Sequence, residues 1–127
     1  MYSAFLVFLG GGIGSLLRFL IAKATLRLYD GSFPMGTFIS NFVSCIILSL
    51  VLLLILQKQE LIDSGNYRLL LITGFCGGLS TFSTFSFETL ELIKNNLWGV
   101  ALLNIGISLI LGIGIMFVLL NRSQTFH

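Results

Sequence analysis

Phe82 and Phe85 stand three residues apart in the run Gly74-Phe75-Cys76-Gly77-Gly78-Leu79-Ser80-Thr81-Phe82-Ser83-Thr84-Phe85-Ser86-Phe87-Glu88. Residues at that spacing share one face of a helix. Five hydroxyls, on Ser80, Thr81, Ser83, Thr84 and Ser86, interleave with the rings. A phenyl ring has a negative face and a positive edge. Ring edges therefore line a path for an anion without presenting a fixed charge that would trap it. Serine and threonine add O–H donors that replace part of the anion's water. Phenylalanine alone in an apolar segment reads as a lipid or core contact. The hydroxyls among these rings argue against a purely lipid-facing role.

Other polar groups sit in equally apolar surroundings. Thr37 and Asn41, and Ser40 and Ser44, are each one helical turn apart in a second apolar segment. An amide such as Asn41 is costly inside a membrane unless it faces a partner or a pore. Pore lining and interhelical adhesion are equal readings for it. Asn104 and Ser108 lie one turn apart in a fourth segment and also fit interhelical bonding. Arg18 and Glu88 are the charges placed within or at the ends of spans, which makes them functional candidates. Arg18 would raise the local anion concentration at a vestibule, or else snorkel to the interface.

The elements that must position these residues follow from composition. Of 127 residues, 56% are hydrophobic and 9% charged, and the mean hydropathy is +1.02. A soluble domain carries about 25% charged residues. Four segments are long enough to cross a hydrocarbon core of roughly 30 Å. The expected fold is all-α and integral to the membrane, one transmembrane domain over residues 1–127, with spans at about 2–28, 34–57, 67–92 and 97–121. Asp30-Gly31-Ser32 marks a turn, and Pro34 reads as the first turn of the second helix. The longest loop is expected from Gln57 to Asn66, and Lys94-Asn95-Asn96 closes the third span.

Gly74, Gly77 and Gly78 weaken a helix by about 1 kcal/mol each relative to alanine. Near the middle of the third span they suggest a break, whose freed backbone must then be satisfied by protein, water or an ion. The competing reading is close helix packing, which Gly10/Gly14 and Gly11/Ser15 in the first span fit well.

Charge sets further bounds. The net charge is +2, and Arg18, Lys23, Arg27, Lys58, Arg68, Lys94 and Arg122 are scattered singly, which is no nucleic-acid footprint. Four spans put Lys58, Arg68 and Arg122 on one side and Lys23, Arg27 and Lys94 on the other. Orientation follows an excess of Lys and Arg on the cytoplasmic side. With the two sides balanced, dual topology and antiparallel pairing are expected. Cys45 and Cys76 read as small packing residues. The single histidine is His127, so a metal cluster built on histidine is not expected. The N-terminus has no basic region ahead of its apolar run, which argues against a cleaved signal peptide.

The motifs GGGIGSLLRF at 10–19, PMGTFISN at 34–41 and GFCGGLSTFSTF at 74–85 together resemble the Fluc/CrcB fluoride channel family, over essentially the whole chain. The resemblance implies an antiparallel, dual-topology homodimer, or a heterodimer with a paralogous chain, in the bacterial plasma (inner) membrane. It implies two fluoride pores built from both subunits. Phe82 and Phe85 match the family's pore phenylalanines and Asn41 its pore asparagine. Ser83, Thr84, Thr37 and Glu88 match a polar track along the pore, Ser108 a polar position of the fourth span, and Arg18 the first-helix arginine. The backbone carbonyls of Gly77 and Ser80 match a structural sodium (Na+) site on the two-fold axis. Ser80 stands where threonine is commoner, Phe19 where tyrosine is frequent and Ser15 where alanine is.

The expected activity is passive, fluoride-selective anion efflux that lowers cytoplasmic fluoride, with no catalysis. A small dual-topology multidrug transporter is the nearest rival. It needs a carboxylate in its first span, and none stands between Met1 and Lys23. A non-transporting subunit of a membrane complex would explain the glycines but not the interleaved Phe and Ser/Thr run.

Overall fold

The computed structural model describes residues 1–57 and 65–124. The expected loop from Gln57 to Asn66 falls mostly outside the described residues, as do Lys58 and His127. Among the described residues there are helices α1 (Tyr2–Leu28), α2 (Met35–Gln57), a π-helical segment (Arg68–Cys76), α3 (Gly77–Leu79), α4 (Phe82–Lys94) and α5 (Trp98–Gln124). Four spans result, because the π segment, α3 and α4 together form one apolar stretch, Arg68–Lys94.

Pro34 lies one residue before α2, and its carbonyl accepts the Phe38 N–H at 3.0 Å. It therefore caps the helix rather than occupying its first turn, and its missing N–H costs nothing there. The turn between α4 and α5 closes where Lys94-Asn95-Asn96 was expected to close it. Asn96 adopts φ 60°, a left-handed conformation that asparagine tolerates. The Asn96 N–H bonds to Ile93 O at 3.0 Å and the Leu97 N–H to Leu92 O at 2.8 Å. These two bonds satisfy the last carbonyls of α4.

The molecule buries polarity and shows grease. Among the described residues the largest fully buried side chains are Leu79, Asn104, Ser40 and Ser49, three of them polar. Phe8, Ile110 and Phe117 are more than two-thirds or about two-thirds exposed. In water this would be inverted. In lipid it is expected, since apolar surface gains nothing by hiding and small residues let helices approach. Two of the buried hydroxyls close on their own helix: Ser40 Oγ donates to Gly36 O at 2.8 Å and Ser49 Oγ to Cys45 O at 2.7 Å.

α1 packs on the π segment and α3, α2 on α1 and α5, and α4 on α5. The first of these seams is backbone against backbone. A Cβ added at Gly10 would overlap the Leu70 carbonyl, one at Gly14 the Phe75 carbonyl, and one at Gly78 the Gly11 carbonyl. Both readings of the glycines therefore apply, at different places. Gly77 is helical at φ −64°, ψ −34°, and the interruption comes beyond the glycines, at Ser80 (φ −80°, ψ 154°) and Thr81 (φ −151°, ψ 115°). Gly74 and Gly78 serve close approach to α1, while the break falls where side chains stand ready to satisfy the backbone.

Candidate functional site

An uninterrupted helix would bond the Thr81 N–H to the Gly77 carbonyl four residues back. At the break this N–H donates instead to Asn41 Oδ1 at 2.7 Å, and Asn41 Nδ2 lies 3.4 Å from Thr81 O. Asn41 thus replaces the missing helical partner from a neighbouring helix. Its oxygen is committed to Thr81, which fixes the orientation of the amide. One of its two amide protons is left over for another acceptor.

Thr81 is the hub of the site, and the sequence reading gave it no individual role. Its Oγ1 accepts the Thr84 N–H at 3.3 Å and so caps α4. The same hydroxyl donates to Thr84 Oγ1 at 3.0 Å and lies 3.3 Å from Ser83 Oγ. Thr84 accepts in that pair, and its own proton has no acceptor among the described residues. The signal was present in the sequence as a threonine three residues ahead of another, directly before a helical run. With the break expected at the glycines, nothing in the sequence tied the helix start to Thr81 itself.

Thr84 opens onto a cavity of about 250 Å³ that Arg18, Thr37, Ser40, Thr81 and Glu88 also line. A second cavity of about 290 Å³ shares Thr37 and Glu88 and reaches the α1–α2 turn at Tyr29, Ser32 and Pro34. Between them they lead from the turn to the break. Arg18 Nε and Glu88 Oε2 are buried and without a hydrogen-bond partner among the described residues. A donor and an acceptor left open on such walls suit a hydrated cavity rather than a packed core.

Phe82 and Phe85 lie with ring centroids 6.1 Å apart at an interplanar angle of 36°. Phe85 is half-buried, whereas Phe82 is 80% exposed on the single chain. The structure therefore gathers Arg18, Thr37, Thr84 and Glu88 around one space, and joins Asn41 and Ser83 to it through Thr81. Ser108 stands apart on α5, bonded to Asn104 Oδ1 at 3.5 Å.

The carbonyls named for a cation fit that role locally. The Gly77 carbonyl has lost its helical donor to Asn41, and the Ser80 carbonyl precedes the cap of α4. Neutral carbonyl oxygens are the ligands that hard cations take. The Cys76 carbonyl, by contrast, is saturated by the Ser80 N–H, Ser80 Oγ and Ser44 Oγ at 3.0, 2.9 and 3.1 Å.

Four apolar helices, three of which line a cavity with polar side chains, define a multi-pass membrane protein. Residues 5–120 match the family model described as CrcB-like protein, Camphor Resistance (CrcB), and the chain belongs to that family. Among its relatives is a protein of Maridesulfovibrio salexigens, 44% identical over 81% of this chain and 80% of that protein. Another, of Clostridium novyi, is 44% identical over 84% of this chain and 85% of that protein. A third, of Phocaeicola vulgatus, is 41% identical over 91% of this chain and 94% of that protein. Each is named fluoride-specific ion channel FluC.

Proposed function

We propose that this chain is a subunit of a fluoride-selective passive channel that lowers cytoplasmic fluoride by letting the anion leave. The observation that carries this reading is the break, where the spare protons of Asn41 and Thr84 belong to the same stretch as two phenyl rings, in a chain whose relatives bear that name. The whole chain acts as one transmembrane domain in the bacterial plasma membrane.

In this reading Arg18 raises the anion concentration in the cavity. Thr84, which keeps its proton, and the spare proton of Asn41 then replace water as the ion sheds its shell. Thr37, Ser83 and Glu88 complete the polar wall, and the edges of Phe82 and Phe85 carry the ion through the narrowest stretch. No bond is made or broken, so the protein acts as a channel and not as an enzyme.

A second copy, inserted antiparallel, covers Phe82 and completes each pore. The balance of three basic residues against three supports this arrangement. The Gly77 and Ser80 carbonyls would hold a sodium ion that contributes fixed positive charge at the junction of the two copies.

The test is ion efflux from liposomes holding the purified protein, fluoride compared with chloride. Rapid fluoride loss without chloride loss is expected, and Phe82→Ile/Phe85→Ile is expected to abolish it. Undiminished flux in that folded variant would remove the ring-edge mechanism, and no fluoride loss from folded wild-type protein would remove a channel built from this chain alone.

A further inference from the structure

Asn104 is 1% exposed and belongs to a chain of hydrogen bonds that ends on a pore phenylalanine. Its Nδ2 donates to Thr89 Oγ1 at 2.9 Å, and Thr89 Oγ1 donates to the Phe85 carbonyl at 2.7 Å. At the other end Ser108 Oγ lies 3.5 Å from Asn104 Oδ1.

The direction of this chain follows from its last member. A carbonyl oxygen only accepts, so Thr89 must spend its single proton on Phe85. Its oxygen is then an acceptor, which requires the NH2 side of Asn104 to face it. Asn104 Oδ1 is thereby turned to Ser108, whose hydroxyl must donate. All three bonds run one way, from α5 into α4, and bonds so aligned polarise one another.

We propose that Asn104 and Thr89 are positioning residues, fixing the backbone at Phe85 and so the angle at which its ring meets the ion path. This rests on the channel reading. A threonine bonding to the carbonyl four residues back bends its helix, and here the threonine is itself held by the neighbouring helix. The tether lies one turn beyond Phe85, on a helix whose other end is held at the break by Thr81. Phe85 is thus fixed from both sides.

The test uses the full chain, reconstituted in liposomes for efflux and carrying 4-fluorophenylalanine in place of Phe85 for 19F NMR. Thr89→Val keeps the shape and removes the hydroxyl, and Thr89→Ser keeps the hydroxyl. Thr89→Val/Asn104→Leu removes both polar partners, so no buried amide is orphaned. Thr89→Val is expected to cut fluoride efflux by about tenfold and to shift or broaden the 19F line, with Thr89→Ser restoring both. The double variant is expected to recover the wild-type unfolding temperature while efflux stays low and the line stays altered. A folded double variant with wild-type efflux and an unmoved line would overturn the proposal, leaving the chain a stabilising role only. If wild-type protein passes no fluoride, the channel reading falls, and the 19F line alone still decides whether Thr89 and Asn104 hold Phe85.

Discussion

The two halves of the third span are held in opposite ways. Before the break, the π segment and α3 meet α1 mainly through backbone, with glycine on both sides of the seam, and Ser15 and Ser44 add one hydroxyl bond each, to the Gly78 and Cys76 carbonyls. After it, α4 is held by side chains: Asn41 and Thr81 at its start, Thr89 and Asn104 further along. A backbone seam is rigid because neither surface has a rotamer to adjust. A side-chain tether fixes direction through one or two bonds and leaves the remaining faces free. The first half therefore serves as foundation, and the second carries the rings and hydroxyls that the proposed channel would turn to its ion.

The largest effect is expected where the foundation is closest. Gly14→Ala places a Cβ against the Phe75 carbonyl and 2.9 Å from the Leu79 nitrogen. Backbone cannot move aside as a side chain can, so a loss of about 3 kcal/mol is expected, at the upper end for overpacking. Thermal unfolding in detergent would show it. A variant of unchanged stability would mean that the seam is looser than its geometry states.

Asn41→Ala should cost less stability and more function. It leaves the Thr81 N–H without its acceptor, a penalty of about 1–3 kcal/mol for a buried donor. Fluoride efflux should fall further than this loss of stability explains, because the spare amide proton goes too. Equal losses in efflux and in folded protein would reduce Asn41 to a splint. Gly12 makes the opposite case on the same helix as Gly14, since a Cβ there meets nothing within 4 Å. Gly12→Ala is expected to change stability by no more than about 1 kcal/mol, in the favourable direction. Marked destabilisation would show that another surface covers Gly12.

Much of this was legible in the residues. The sparse charge and four apolar segments required membrane helices, and the interleaved rings and hydroxyls marked the stretch after the break as unusual. The break itself was expected, but at the glycines. It lies at Ser80 and Thr81 because glycine weakens a helix without supplying partners for what is released, whereas Asn41 and Thr81 supply them. Asn41 was evenly divided between pore and adhesion; its bonds to Thr81 are adhesion, and the proton left over is what the proposed pore role would use. Asn104 fitted interhelical bonding, which it makes, but its partner Thr89, fifteen residues away on another helix, could not be named from the sequence.

Sequence alone determined the solvent, the number of spans and the chemistry available, because hydrophobic length and side-chain type are properties of each residue. Tertiary structure decided which glycines touch, where the helix opens and which way each hydroxyl points. Those depend on what the neighbouring helix offers at a given height. A proton's direction is set by the far end of its chain, here a carbonyl of Phe85 that only accepts.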